Sequence, residues 1–313
     1  MINGPARFTL YLQQLEKLLL ESGKQPNAAL YLYQNGARTP LFMLEGLAKL
    51  YSGLHNKKKF GKLEEHFKLF EDGLGAIDYF DGFGKQFAAD KNVPTKYATF
   101  AQSKAQEKAA SLNQLLIEKN WIGKKADRIS KIQKKLRNAN WLEDKAEMKA
   151  IEAYYQKSIK NISEFAKTYE SGFTELETQV HELRRKLRWL SIYPQALQGS
   201  IQLTTTSSKD KNIKKYLTPE IVNSPFNKMP AVGANRYVLT LNRDYFLALS
   251  WMISELGKLK DEGLRFFVLK EAGASSKADT ANEAVILSKA SNITHSYFAE
   301  QNLDKMIVSV NKI

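Results

Sequence analysis

Apolar residues recur every three or four positions along most of the chain, which is the spacing of a buried face on an α-helix. One such stripe consists of Leu63, Phe67, Phe70, Leu74 and Ile77. It predicts a helix over about residues 61–89, and similar patterns predict helices over about 94–118, 123–138, 143–172, 174–194, 242–273 and 277–302. We therefore expect an all-α protein.

The helical spacing is interrupted between Gln202 and Thr240, where prolines, a glycine and a threonine–serine run are typical of loops. At the edges of this stretch, Ile201–Thr205 and Arg236–Leu241 are short runs with strand character, which we expect to pair as a small hairpin. The sequence thus predicts a loop and β-hairpin insertion at about residues 202–240.

The stripe on the helix at 61–89 occurs a second time. Its positions, together with Gly75, align without gaps on Tyr245, Leu249, Met252, Leu256, Gly257 and Leu259. A glycine inside a helix costs about 1 kcal/mol relative to alanine, so we expect another backbone to approach Gly75 and Gly257 closely. The repeat predicts two similar helical bundles, over residues 1–140 and 141–313.

The composition narrows the class of partner. Lys and Arg total 47 against 33 for Asp and Glu, a net charge of +14, which attracts polyanions. There are no cysteines, which excludes disulfides and thiolate chemistry and agrees with a cytoplasmic location. The first residues do not have the pattern of a signal peptide, and no apolar run is long enough to cross a bilayer. We expect a soluble, cytoplasmic protein without membrane insertion.

One predicted helix carries a cationic stripe beside its apolar one. The cationic stripe consists of His181, Arg184, Arg185 and Arg188. Like charges one helical turn apart destabilise a helix, so this clustering indicates an anionic partner, and guanidinium groups suit phosphate oxygens. A solvated helix face explains the same spacing equally well.

A second basic helix is predicted over about residues 123–138. Its cations recur at helical spacing as Lys124, Arg128, Lys131 and Lys135. Runs of charge are usually solvated, so these residues rank behind the first stripe as phosphate-binding candidates.

The first cationic stripe resembles the signature helix of the CHAD family, which are α-helical domains named for their histidines. His181, Arg184 and Arg188 fit that motif, which reads roughly His-x-x-Arg-x-x-x-Arg, and Leu256–Asp261 fits the Leu-Gly-x-x-x-Asp motif of the family's next helix. The resemblance implies two similar helical bundles around a basic cavity, binding of inorganic polyphosphate, and no catalysis.

The first half of the chain departs from the CHAD pattern. The corresponding positions are Asn35, Arg38 and Phe42, so only the first arginine is retained, and Leu74–Asp78 has its acidic residue one position early. The predicted phosphate-binding residues are therefore His181, Arg184, Arg185, Arg188 and Arg38.

The main alternative to a phosphate-binding protein is an enzyme. The four histidines have neither a second histidine nor a glutamate at the helical spacing that zinc and di-iron sites use. The glycine-rich phosphate loop, the nucleophile elbow and the dinucleotide fingerprint are also missing. The absence of these motifs leaves open a catalytic pair of carboxylates from residues that are distant in sequence and meet only in the fold. We nevertheless predict no catalytic residue, metal or cofactor.

Two binding alternatives remain. Single-stranded nucleic acid needs aromatic side chains beside basic ones, and Trp121, Trp141 and Trp189 lie near the basic segments, although core packing is the commoner role for such residues. The other alternative is an interaction module whose basic faces dock on an acidic protein, with the 202–240 insertion as the contact.

Overall fold

The computed structural model describes residues 3–124, 126–205, 210–273, 277–300 and 302–313. Helices make up 73% of the chain, and the strands of the described residues form a single three-stranded sheet. The predicted all-α class with a small strand element is confirmed.

The chain divides into two compact units. One comprises Ile2–Trp141 with Val268–Ala274, and the other comprises Leu142–Phe267 with Ser275–Ile313. We refer to them as the N-terminal and C-terminal units.

The N-terminal unit is built from helices. They are α1 (Gly4–Ser22), α2 (Ala28–Gln34), α3 (Arg38–Leu54), α4 (Lys57–Ala89), α5 (Thr95–Glu118) and α6 (Arg128–Arg137). The long α4 packs against α3 and α5, and α6 packs against α1. The predicted stripe from Leu63 to Ile77 faces this core, since its members are at most 1% exposed.

Helix α6 begins at Arg128, later than the predicted residue 123. The chain turns before it, with Asn120 at φ 58° and Gly123 at φ 88°. These left-handed conformations favour glycine and asparagine and do not continue a helix. The turn therefore separates α6 from the end of α5.

The C-terminal unit contains longer helices and several short ones. They are α7 (Asp144–Lys167), a π-helical segment (Leu176–His181), α8 (Glu182–Ala196), a 3-10 segment (Lys211–Tyr216), α9 (Pro219–Asn223), a 3-10 segment (Pro225–Asn227), α10 (Arg243–Glu271), which begins in this unit, and α11 (Lys277–Ala299). The second copy of the stripe, on α10, is also buried, with Tyr245 at 7% and Leu249 at 0% exposure.

The sheet corrects the predicted hairpin. Strands β1 (Ile201–Thr204) and β2 (Tyr237–Asn242) do pair, but in parallel, with Ile201 opposite Leu239. Parallel neighbours need a crossover connection and not a tight turn, and the stretch between the two strands provides that connection. Its residues 206–209, within the predicted insertion, lie outside the described residues.

A third strand completes the sheet. Strand β3 (Ile307–Lys312) pairs antiparallel with β2, with an irregular register at Thr240 and Leu241. No strand was predicted for this C-terminal segment, although Ile307, Val308 and Val310 are β-branched. Helix α7 packs against β2 and β3, so the sheet is part of the core of the C-terminal unit.

Candidate phosphate-binding surfaces

The guanidinium of Arg184 is directed onto helix α10. Its Nε donates a hydrogen bond to the carbonyl oxygen of Ile253 at 3.1 Å. It also lies against Gly257, where an added Cβ would come within 3.0 Å of Nε. Burial lowers the pKa of this guanidinium, and the negative charge of Asp261 opposes the shift. Arg184 thus connects α8 to α10 inside the C-terminal unit.

Arg38 has the equivalent position in the N-terminal unit. Its Nε forms an ion pair with Glu71 at 2.6 Å, and Nη1 pairs with Asp78. An added Cβ at Gly75 would come within 3.0 Å of Arg38 Nη2. The same guanidinium lies over the ring of Phe42, 5.2 Å from its centroid. Arg38 is therefore held by two carboxylates and an aromatic face.

These contacts correct the explanation for the repeated glycines. We expected another backbone to approach Gly75 and Gly257, but the group that approaches each glycine is an arginine side chain, Arg38 or Arg184. The missing side chain leaves room for a guanidinium to lie flat on the helix. The two units share this arrangement at the positions that the sequence repeat aligns.

Two of the remaining cations of the α8 stripe also lie close to acidic residues. His181 Nδ1 is 2.8 Å from Glu177 Oε2, and Arg185 Nη2 is 2.7 Å from Glu182 Oε2. Arg188 is half-buried on the same helix. His181 is the last residue of the π-helical segment, which the apolar stripe alone did not predict. His181 and Arg185 therefore have carboxylate partners within the protein.

Helix α6 differs from α8 in both its composition and the exposure of its basic residues. Five of its ten residues are basic and none is acidic, namely Arg128, Lys131, Lys134, Lys135 and Arg137 among RISKIQKKLR. Its apolar residues Ile129, Ile132 and Leu136 are buried, so the basic residues lie on the opposite side. Lys131 pairs with Asp127 at 2.7 Å, at the start of the helix. Within the described part of the chain, the exposed Lys134, Lys135 and Arg137 form no ion pair.

The first turns of α4 run alongside α6. Lys59 Nζ donates to the carbonyl oxygen of Asn138 at 2.6 Å, and Arg128 Nη1 is 3.4 Å from His66 Nε2. Since Lys59 precedes His66 whereas Asn138 follows Arg128, the two segments are antiparallel. The exposed Lys62 lies between Lys59 and His66 on the same helix face.

We call this combined region the α4–α6 surface. It consists of Lys62, His66, Lys119, Arg128, Lys131, Lys134, Lys135 and Arg137. Of the lower-ranked predicted residues, Arg128, Lys131 and Lys135 belong to it, and Lys124 is exposed in the preceding turn. His66 and Lys62 were not among the predicted residues, although their helical spacing from Lys59, beside the apolar stripe of α4, was a usable signal.

The tryptophans near the basic segments are engaged in packing. Trp121 packs on Phe70 with ring centroids 5.2 Å apart, and the indole N–H of Trp141 donates to the carbonyl oxygen of Leu136 at 3.0 Å. Trp189 is only 8% exposed. Trp121 and Trp189 are thus buried, and Trp141 packs on Phe60 with ring centroids 5.4 Å apart.

A separate cleft of about 350 Å³ lies in the C-terminal unit. It is lined by Lys215, Tyr216, Trp251, Asn292, Ile293 and Ser296. Lys215 pairs with Glu300 there, so the charge of this lysine is already balanced. The cleft is mainly apolar in character and does not extend the cationic surface.

Across the described ranges, no three His, Asp or Glu side chains are grouped so that they could hold a metal ion. None of the helices in those ranges has the combination of length and apolar character that a membrane span requires.

Comparisons with known proteins identify no relative. No protein-family model matches this chain, and neither the curated proteins nor the solved structures contain a match.

Proposed function

We propose that this protein binds polyanions without catalysing a reaction, that its ligand is long-chain inorganic polyphosphate, and that it does so in the cytoplasm. The observation that carries the proposal is the α4–α6 surface. There, exposed lysines and arginines of α6 lie beside basic residues of α4, and Lys134, Lys135 and Arg137 have no carboxylate partner among the described residues.

The energetics favour a ligand with repeated negative charge. Like charges on one helix repel each other, and a polyanion placed on them relieves that repulsion. Neutralising a charged chain also releases its condensed counterions, which drives phosphate-backbone binding in general. The net charge of +14 attracts such a ligand from a distance.

The packing of the tryptophans favours polyphosphate over single-stranded nucleic acid. Nucleic-acid strands gain affinity from bases stacked on aromatic faces, and Trp121, Trp141 and Trp189 are committed to the protein interior or its hydrogen bonds. Polyphosphate has no bases and needs only cations. An acidic protein partner remains the other alternative.

The α8 stripe and Arg38 keep a secondary place in this proposal. His181, Arg185 and Arg38 would have to give up carboxylate partners, and Arg184 its contact with α10, before they could bind phosphate. We therefore assign the main contacts to the α4–α6 surface. The CHAD resemblance stays a prediction from the sequence motifs.

The test compares two triple variants that remove the same charge. Lys62→Gln with Lys134→Gln and Lys135→Gln removes three exposed cations from the α4–α6 surface. The control, Lys145→Gln with Lys149→Gln and Lys157→Gln, removes three exposed cations from α7. Glutamine is a good helix former, so helicity by circular dichroism should be unchanged in both.

We expect the first variant to bind long polyphosphate less tightly and the control to bind like wild type. Each lost phosphate contact lowers the slope of log K against log salt by about 0.7 for a flexible strand, so the first variant should lose about 2 from that slope. Equal losses in both variants would show that binding follows net charge and not this surface. Absence of wild-type binding would overturn the proposal, and tighter binding of an acidic protein would favour the alternative.

A further inference from the structure

We infer that His66, Lys119, Arg128 and Lys135 form a subsite for a single phosphoryl group, and that His66 takes up a proton when the group binds. The inference deepens the proposed function, since the subsite belongs to the α4–α6 surface. Its ligand class is a phosphate dianion, either free or at the end of a polyphosphate chain.

Arg128 is the fixed element of this subsite. Its Nε donates to the carbonyl oxygen of Lys119 at 2.7 Å, at the end of α5, and its Nη1 lies 3.4 Å from His66 Nε2. These contacts orient the guanidinium and use two of its five N–H groups. The remaining N–H groups can donate to phosphate oxygens, which a guanidinium binds in pairs.

The contact between Arg128 and His66 defines the protonation state of the histidine. A guanidinium can only donate, so His66 Nε2 must accept, and the ring is neutral with its proton on Nδ1. If His66 became protonated without a ligand, two N–H donors would face each other. An anion between them resolves this conflict, because both groups then donate to its oxygens.

The charges that face His66 come from three elements. Arg128 and Lys135 lie on α6, Lys119 lies at the end of α5, and Glu65 lies on α4 itself. Burial, followed by the charges of Arg128 and Lys135, lowers the pKa of His66, whereas Glu65 acts in the opposite direction and Lys119 adds to the lowering. A bound phosphate cancels the cationic contribution and so raises the pKa of His66.

Binding at the subsite is therefore linked to proton uptake. Affinity should rise as the pH falls through the interval between the pKa of His66 in the free and the bound protein. The gain is about tenfold for each unit by which the ligand raises that pKa. Phosphate itself gains a proton near pH 6, which weakens binding. The contribution of His66 is therefore the difference in the pH dependence of affinity between wild type and His66→Gln.

The experiment uses the full chain with tripolyphosphate, which is short enough to report on one subsite. Its affinity is measured by calorimetry between pH 5 and pH 8 for wild type, His66→Gln and the control His295→Gln. His295 lies elsewhere, with Nε2 3.2 Å from the carbonyl oxygen of Tyr169. In parallel, the imidazole resonances are titrated by NMR, and the His66 signal is assigned by its loss in His66→Gln.

We expect the wild type and His295→Gln to gain affinity relative to His66→Gln as the pH falls, and the His66 resonance to titrate at higher pH with ligand present. Arg128→Gln should raise the titration midpoint of free His66 and remove the effect of the ligand. Identical pH profiles in wild type and His66→Gln would overturn the inference, even if long polyphosphate still binds. If tripolyphosphate shifts the His66 titration but long polyphosphate does not bind, the proposed function fails and the subsite remains.

Discussion

Glu45 is a carboxylate in an environment that disfavours its charge. It lies on α3 and is 6% exposed. Burial raises its pKa to about 7, with the negative charge of Glu71 as the next cause and Lys68 opposing. The folded protein therefore holds a proton on Glu45 at pH values where the unfolded chain has already lost it.

The sign of the resulting pH dependence follows from proton linkage. Below pH 4.5 the group is protonated in both states and its stabilising effect is fully present. Between pH 4.5 and about 7 the Glu45 carboxyl is ionised only in the unfolded chain, so the free energy of unfolding falls as the pH rises. A shift of this size corresponds to about 3 kcal/mol.

We predict that Glu45→Gln removes this loss, because glutamine has the same shape and no charge to bury. Urea unfolding from pH 5 to pH 8 should show the variant gaining on wild type by up to about 3 kcal/mol across the range. The exposed Glu118→Gln serves as control and should follow the wild-type profile. A constant difference between Glu45→Gln and wild type at every pH would contradict the prediction.

At the level of helices, the repeated contact between an arginine and a glycine joins elements within each unit. Arg38 on α3 rests on Gly75 of α4, and Arg184 on α8 rests on Gly257 of α10. The sequence predicted the aligned positions and the unusual glycines. It did not predict which group lies against each glycine, because the close approach of a side chain and that of a backbone both require a residue without a Cβ.

Replacing Gly257 should lower the stability of the protein, because the arginine side chain that lies against it is held in place. An alanine at Gly257 would meet Arg184 Nε and Nη2 at 3.0 and 3.2 Å, and this guanidinium is fixed by Ile253. Alanine improves helix propensity by about 1 kcal/mol, but the clash should outweigh it. We predict that Gly257→Ala lowers stability by roughly 1 kcal/mol in thermal or urea unfolding.

Gly82→Ala is the matched control on α4, since an added Cβ there meets nothing within 4 Å. It should raise stability by about 0.5 to 1 kcal/mol through helix propensity alone. The double variant Arg184→Met with Gly257→Ala should recover most of the loss, because the clashing group is gone. Stabilisation by Gly257→Ala to the same extent as Gly82→Ala would disprove a close contact in solution.

The prediction that α8 ranks ahead of α6 used sequence patterns alone, and these do not show which cations have carboxylate partners. A run of cations has the same pattern whether its charges are balanced or not. The balance depends on residues distant in sequence, such as Glu71, which pairs with Arg38, or on neighbours such as Glu182, which pairs with Arg185. The position of His66 beside Arg128 likewise depends on how α4 and α6 meet.

For the whole molecule, the local patterns predicted the helices well, and the long-range pairing poorly. The two strand segments at the edges of the 202–240 stretch were recognised, but their parallel direction and their partner β3 depend on the path of the chain through the C-terminal unit. A periodicity of two residues gives no information about strand direction. The same limit applies to ion pairs between distant residues.

The charge of the whole molecule gives a prediction for salt dependence. With about six phosphate contacts and a slope of about 0.7 per contact, polyphosphate affinity should fall roughly 300-fold between 50 and 200 mM salt. Single-stranded DNA of equal charge should compete poorly at every salt concentration, because the three tryptophans near the basic segments are packed against the protein. Fluorescence competition measures both, and a flat salt response or preferred DNA binding would exclude polyphosphate as the main ligand.

The chemistry of the exposed cations on α6 has a consequence for how a long chain would be held. Lysine ammonium groups are point charges on flexible stems and do not select one alignment of phosphate oxygens, whereas a guanidinium does. Between Lys131 and Lys135 a bound chain could slide by one repeat at little cost in energy. The oriented guanidinium of Arg128 would distinguish a terminus from an internal phosphate, so the protein would hold the end of a polymer in place and leave its length free to vary.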